Sequence, residues 1–494
     1  MKRMLPGTLF IACMLSCATA AAEWKLDQEH WYVVEIAGTR AGMMSTMLLR
    51  DGSNIRTATQ MQMTLGRGAV STTIKISSAF EETADGRPLL ITSMQDMGQQ
   101  PVESEWRFLD DKVVYTSRQG GREIVRETEA PEGDWLTPMG VHRLWLKSLA
   151  AGDHVITYFT VDGQTGLEPV ELTHTFVEDR VYEIDGREIP VSVWKTSTSL
   201  MPITGLEYYT AEGLKVYEEV SMPGLGKMVT RLATKAEAQG DGNFTGPEIL
   251  IKTFVEPDRP IRNVGHATTA TLRLRVDVGE LPQLPSAASQ RVTPGDDGAS
   301  ALLVIDINDS LAAPAAEVGD ASYLAASAMV DAGDPLIGKL AARAVRDAGT
   351  DALSRADAMR AAVHRYVTSK GLGTAFATAS ETARTRRGDC SEHAVLLCEM
   401  LRAQEIPARV AVGLVYADAF LGREAIFGWH MWTQAMIDGH WVDLDATPSS
   451  RYHAGHVLTA VSGLDHGSVD TALASTLPLM GNLQIEVVDV GYVD

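Results

Sequence analysis

What the chain has little of narrows its identity first. Four cysteines in 494 residues, Cys13, Cys17, Cys390 and Cys398, are too few for a disulfide scaffold. Basic residues are outnumbered, 43 Lys and Arg against 64 Asp and Glu, for a formal net charge of −21. Phosphate backbones call for a cationic surface, so this balance argues against nucleic acid as a partner. Beyond the N-terminus, no stretch reaches the ~18 uninterrupted apolar residues of a membrane-spanning helix, so none is expected in the processed chain.

The N-terminus itself has the anatomy of a secretory signal peptide over residues 1–22. Lys2 and Arg3 form a basic start, an apolar stretch runs from Met4 to Leu15, and small-residue cleavage patterns follow at Ala18-Thr19-Ala20 and Ala20-Ala21-Ala22. The expected mature chain begins at Ala21 or Glu23, in the periplasm or outside the cell. A lipoprotein anchored through Cys17 fits less well, because Met14 stands three residues before that cysteine. Cleavage leaves Cys390 and Cys398. Eight residues apart on one predicted helix, their Cα atoms are about 12 Å apart, beyond the ~7 Å a disulfide tolerates.

A chain this long exceeds one ordinary core, and about three domains are expected. Residues 23–240 alternate with period two, as in Trp31-Tyr32-Val33-Val34-Glu35-Ile36 and Ser71-Thr72-Thr73-Ile74-Lys75-Ile76. Asp51-Gly52, Asp85-Gly86, Asp162-Gly163 and Asp185-Gly186 punctuate them. Short alternating strands with Asp-Gly turns predict an antiparallel sheet or open barrel, interrupted by a helix over Val141–Leu149. Residues 246–312 read as a small β domain, with strands at Thr269–Val278 and Ala301–Ile307 around a long surface loop, Leu281–Ser300. Ala312–Gly319 reads as a linker.

From residue 320 to 475 helix formers come first and alternating strands after, an α+β order. One helix carries Met359, Val363, Tyr366 and Val367 at helical spacing, with Asp351 or Ser354 to cap it and Gly371 to stop it. A loop of small and basic residues leads to Asp389. A second helix spans Cys390 to Ala403, and strands follow at Ala408–Tyr416, Phe427–Asp438 and His440–Asp445. A last strand lies within 476–494. The fold class is therefore multidomain, N-terminal antiparallel β domains followed by a C-terminal α+β domain.

The sharpest local signal is Asp438-Gly439, a favoured two-residue hairpin turn. It sets Ile437 opposite His440 and, counting back, Trp432 opposite Asp445. His430 lies two residues from Trp432 on the same face, so His430 and Asp445 are diagonal neighbours within side-chain reach. A carboxylate there can fix the imidazole tautomer and stabilise its charged form, which serves a nucleophile–base–orienter triad. Cys390 is the natural nucleophile. It opens an apolar helix, where unpaired N–H groups and the macrodipole favour a thiolate.

Four motifs give this stretch a family likeness. Gly388-Asp389-Cys390-Ser391-Glu392-His393-Ala394, Ile406-Pro407-Ala408-Arg409-Val410-Ala411-Val412-Gly413, Trp429-His430-Met431-Trp432 and Trp441-Val442-Asp443-Leu444-Asp445-Ala446-Thr447-Pro448 resemble, in that order, the transglutaminase-like core. The match covers Ala321 to Arg451, about a quarter of the chain. The resemblance implies a papain-like cysteine domain with the catalytic triad Cys390, His430 and Asp445, working by acyl transfer through a thioester. Hydrolysis of an amide or peptide bond and transfer to an amine are both compatible with it, on a peptide, protein or cell-wall polymer. No cofactor and no metal site is expected. Gln434 stands where many relatives carry an acidic residue, and together with Trp429 and Trp432 it is a candidate substrate contact. Arg384, Arg386 and Arg387 form a basic cluster that could face an anionic group or simply be a solvated loop. His393 lacks a placed carboxylate, and Cys398 reads as core. The rival class is a non-catalytic envelope binding protein built on the same fold; the intact triad favours the enzyme.

Overall fold

The computed structural model describes residues 24–492, apart from 69, 97–100, 111, 120–121, 164–165, 185, 200, 223–225, 243, 328, 331–332, 373–376, 465–471 and 473–474. The expected signal peptide, and the Asp185 half of one expected turn, lie outside the described residues.

The alternating N-terminal segment forms one sheet of fifteen strands. Its first eight run β1 Lys25–Ile36, β2 Thr39–Asp51, β3 Asn54–Arg67, β4 Val70–Thr83, β5 Pro88–Asp96, β6 Val102–Phe108, β7 Val113–Gln119 and β8 Arg122–Thr128. Each pairs with the next, so this half is a meander from centre to edge. The chain then forms the short β9 Trp135–Leu136 and α1 Pro138–Ala151 at the opposite edge. It meanders back through β10 Val155–Asp162, β11 Gly166–Ile184, β12 Arg187–Thr198, β13 Met201–Tyr209, β14 Lys215–Met222 and β15 Gly226–Ala233, which pairs with β1. The helix α1 is the one expected around Val141–Leu149, begun by the Thr137 cap and Pro138. A short helix, α2 Lys235–Gln239, follows.

Beyond it come β16 Ala267–Val276, β17 Gln290–Pro294 and β18 Ser300–Asp306. The expected surface loop Leu281–Ser300 thus contains a strand. β17 pairs with β18, and Gln290 is 2 % exposed. The Gln290 amide donates to Leu458 O and accepts from Leu458 N, both at 2.9 Å, so this polar run is docked onto the C-terminal domain rather than solvated. Residues 312–319 are docked as well. Ala313 N donates to Gly439 O at 2.9 Å, and Glu317 accepts from Arg409 and Trp441.

In the C-terminal region α3 Pro335–Ala344 and α4 Ala352–Tyr366 precede a short β19 Ser369–Lys370, α5 Ala379–Thr385 and β20 Arg387–Gly388. Asp351 caps α4 through Ser354 N. That helix ends at Tyr366, with extended backbone from Val367, so Gly371 is not its stop. The loop expected before Asp389 holds α5. Next come α6 Cys390–Arg402 and the strands β21 Ala408–Phe420, β22 Arg423–Ile437, β23 His440–Leu444 and β24 His456–Ser462, in the sheet order β23-β22-β21-β24. α6 is buried on every side from Ser391 to Arg402, as expected of a helix packed into a core. The last strand, β25 Leu483–Tyr492, joins the small sheet beside β16. No helix among the described residues is long and apolar enough to cross a membrane.

Candidate active site

The hairpin turn has positive φ at both central residues, 51° at Asp438 and 78° at Gly439, as a type I′ turn requires. The register then runs Ile437↔His440 through Thr433↔Leu444 without a slip. Just beyond it His430 Nε2 lies 2.8 Å from Asp445 Oδ2. The turn alone therefore brings together two of the three candidate catalytic side chains.

Cys390 arrives from a different element. Asp389 caps α6, its carboxylate accepting from Ser391 N at 2.9 Å, while Glu392 reaches back to Asp389 N at 2.7 Å. This reciprocal capping box fixes where the helix starts, and hence where its first side chain, Cys390, points. Gly388 is required for it: a Cβ there would lie 2.2 Å from Glu392 Cβ. Cys390 is half-buried, and its side chain interacts with that of His430. With His430 Nε2 committed to Asp445, Nδ1 is the nitrogen left for the sulfur.

The electrostatics partly reverse the expectation for the thiol. Burial and the neighbouring Asp389 charge push Cys390 up; His430 and the Met431 N–H pull it back, and the net direction is upward. The helix N-terminus thus does not leave a ready thiolate, because a buried sulfur beside a carboxylate loses more than the dipole supplies. His430 goes the other way. Burial opposes its charged form, but the Asp445 carboxylate and the Cys390 sulfur outweigh burial and lift it to about 10. Asp445 is buried, yet His430 and His456 hold it well below the usual carboxylate range.

His456 is a site residue that the sequence reading missed. Its Nε2 lies 3.1 Å from the same Asp445 Oδ2, its Nδ1 lies 2.9 Å from His453 O, and its ring stacks on Tyr452. Asp445 Oδ1 accepts from Thr447 N at 2.9 Å. The ligand-type atoms of His430, Asp445 and His456 lie within 4.8 Å of one another, a spacing a metal ion would also accept. Both Nε2 atoms are already engaged by the carboxylate, so the group is a hydrogen-bonded unit rather than an open ligand set.

The candidate substrate contacts fall elsewhere. Gln434 is 0 % exposed, its amide donating to Asp443 and accepting from Arg409, both at 2.8 Å. Trp432 is 1 % exposed, with Nε1 donating to Asp443 at 2.9 Å. Trp429 has the opposite strand parity to His430 and packs against the core of the small sheet. Trp432 and Gln434 are thus buried on the His430 face of β22, and Trp429 is half-buried on the other. In the basic cluster, Arg384 pairs with Asp334 at 2.9 Å, and Arg386 donates to Tyr366 O and lies over that ring. His393 Nδ1 meets Asp389 O at 2.5 Å, and burial takes its pKa down to about 4. Cys390 and Cys398 are both free thiols, the latter fully buried.

A half-buried thiol beside an imidazole, with a buried carboxylate holding the imidazole, is a constellation for nucleophilic acyl transfer. Residues 338–446 match the model of the transglutaminase-like superfamily, and the chain carries a domain of that family. The match supports a cysteine hydrolase or acyl-transfer type of chemistry. Among solved structures, a candidate cysteine protease from Cytophaga hutchinsonii is similar at 15 % identity and TM-score 0.27, over 46 % of this chain and 84 % of that one. A candidate protease from Parabacteroides distasonis is similar at 10 % identity and TM-score 0.18, over 80 % and 70 %. No curated protein matches the chain.

Proposed function

We propose that this chain is an exported cysteine enzyme that hydrolyses an amide or peptide bond in a cell-envelope substrate through a thioester on Cys390. The observation that carries the reading is the position of His430, 2.8 Å from Asp445 Oδ2 on one side and close enough to Cys390 on the other for each to shift the other's proton affinity. In the first half-reaction the neutral form of His430, which its raised pKa makes the minor form at neutral pH, takes the thiol proton, the sulfur attacks the carbonyl carbon, and the C–N bond breaks as His430 returns the proton to the leaving amine. Water then attacks the thioester, His430 accepts its proton, and free acid leaves as the thiol re-forms. Asp445 orients the ring and offsets its positive charge. The resting thiol, pushed up by burial, fits a nucleophile that is deprotonated as it attacks.

Hydrolysis is favoured over amine transfer because water is abundant and needs no binding site of its own. A lysine acceptor, with an ordinary pKa of about 10.4, must first be desolvated and deprotonated. The test offers a peptide or a cell-wall fragment together with an excess of a primary amine tag, with Cys390→Ala as the blank. Release of free acid that depends on Cys390 is expected. Tag incorporation outpacing acid release would make the enzyme a transferase, and no difference from Cys390→Ala would remove the catalytic reading.

A further inference from the structure

One side chain at this site comes from more than three hundred residues away in the chain. Arg67, the last residue of β3, ends at the tip of the β3–β4 hairpin of the N-terminal sheet. Its Nη2 donates to Asp389 Oδ2 at 2.9 Å, and its Nη1 donates to Leu372 O at 3.1 Å. Asp389 is the cap of α6 and the immediate neighbour of Cys390. Its other oxygen, Oδ1, is taken by Ser391 N and Ser391 Oγ at 2.9 and 2.8 Å. The two jobs of this carboxylate are thus divided, one oxygen for the helix and one for the N-terminal sheet.

The contact is built, not casual. The pair is partly buried, Arg67 at 24 % and Asp389 at 8 % side-chain exposure, unlike the exposed pairs that contribute little. The hairpin tip is clamped from below. Gly66 N donates to Pro247 O at 2.9 Å and Ile249 N to Gly66 O at 3.1 Å. Glu248 then accepts from Gly68 N at 2.6 Å and from Ile251 N at 2.9 Å. A Cβ on Gly68 would sit 3.1 Å from the Leu421 side chain, at the β21–β22 turn. The hairpin is therefore wedged between the connecting segment and the catalytic sheet, with Arg67 at its point.

We propose that Arg67 is a positioning residue of the active site, lent by the N-terminal sheet, which holds and neutralises Asp389 and so ties the reactivity of Cys390 to the docking of that sheet. The inference rests on the reading of Cys390 as the nucleophile, but its mechanism is local. The charged or titratable groups around the sulfur are His430 from β22, with Asp445 and His456 behind it, Asp389 ahead of α6, and Glu392 and His393 on α6, with Lys370 of β19 and His364 of α4 beyond His393. Of these, Asp389 is the carboxylate beside the sulfur that opposes its ionisation. Arg67 is the cation that faces it, and without that cation a bare negative charge would stand next to the sulfur at the moment it must itself become negative.

The test is the pH dependence of Cys390 alkylation, read by mass spectrometry of its peptide, in wild type, Arg67→Ala, Arg67→Lys, Asp389→Asn and the double variant Arg67→Ala/Asp389→Asn. Asparagine keeps a capping side chain while removing the charge. Arg67→Ala should move the midpoint of the alkylation profile upward by about one pH unit, and Arg67→Lys should restore part of it. Asp389→Asn should move it downward, and in that background Arg67→Ala should have little further effect. An unchanged midpoint in Arg67→Ala, or the same shift with and without the Asp389 charge, would overturn the proposal. Should Arg67→Ala fail to fold, Arg67→Lys and Asp389→Asn still decide it, by the directions of their shifts. Because alkylation needs no substrate, a failure of the hydrolase reading leaves this result legible.

Discussion

His430 and His456 approach a single oxygen: their Nε2 atoms lie 2.8 and 3.1 Å from Asp445 Oδ2. Asp445 is 1 % exposed and receives a third contact, from Thr447 N, on its other oxygen. A buried carboxylate persists only when its lone pairs are met by donors. His456→Ala strips one donor and is expected to cost about 1–3 kcal/mol of stability, measured by denaturant unfolding. His456→Gln, which keeps a donor, should recover part of the loss.

Asp445→Asn should lower the His430 pKa from about 10 towards its ordinary value, observable in the imidazole NMR titration. Turnover should fall roughly 10³–10⁴-fold, the scale on which losing an orienting carboxylate acts in such triads.

The same pair predicts how stability varies with pH. His430 has a folded pKa above its unfolded value of 6.5. Its contribution is therefore complete below that value and fades as pH rises through about 10. Asp445 is shifted below 3.8, so its contribution is present above that value and is lost as acid protonates it. The gap in melting temperature between wild type and Asp445→Asn should be widest from about pH 4 to 6.5, narrowing on both sides.

Alkylation should separate the two thiols. Cys398 is fully buried and should label only on unfolding, whereas Cys390 is half-buried and should label in the native state. Since burial and Asp389 push the Cys390 thiol up, its rate should keep climbing with pH beyond the range where an ordinary thiol levels off. A plateau already at neutral pH would contradict that direction.

Gly388→Ala places a methyl 2.2 Å from Glu392 Cβ and should break the capping box at the head of α6. Loss of such a cap with local strain is expected to cost about 2 kcal/mol or more, with slower Cys390 labelling, both measurable on the purified variant.

The parts of the site legible in the sequence are those set by local rules. Asp438-Gly439 fixes the register, which runs unbroken to Thr433↔Leu444, and the cap at Asp389 fixes the start of α6. What escaped the sequence depends on contacts between distant segments. His456 enters on β24, which joins the sheet through β21 after an irregular stretch that no periodicity describes. Arg67 is a residue of an ordinary alternating strand until the fold sets it beside Asp389. The burial of Gln434 and Trp432 is hidden for a related reason: alternation tells which face of β22 they occupy, not that Asp443 and Arg409 meet them there. The run around β17 reads as a loop because its Pro, Ser and Gly content hides a strand that pairs with β18 and is tied to β24 through the Gln290 side chain.

The pairing of β25 with β16, Leu272 opposite Val487 and Leu274 opposite Ile485, makes the triad-bearing segment a guest inside a host. The chain leaves the small sheet after β18, builds the catalytic unit, and returns to close the same sheet. The guest also shares a hydrophobic cluster with its host, Leu414, Tyr416, Phe427 and Val457 packing with Leu272, Leu274, Ile305 and Ile485. A fragment cut at residue 320 and stopped at 475 would discard the host side of that seam, baring the apolar surface of Leu414, Tyr416, Phe427 and Val457. Removing Leu483–Tyr492 would strip the edge strand from the host sheet and loosen the platform on which Cys390, His430 and Asp445 are assembled.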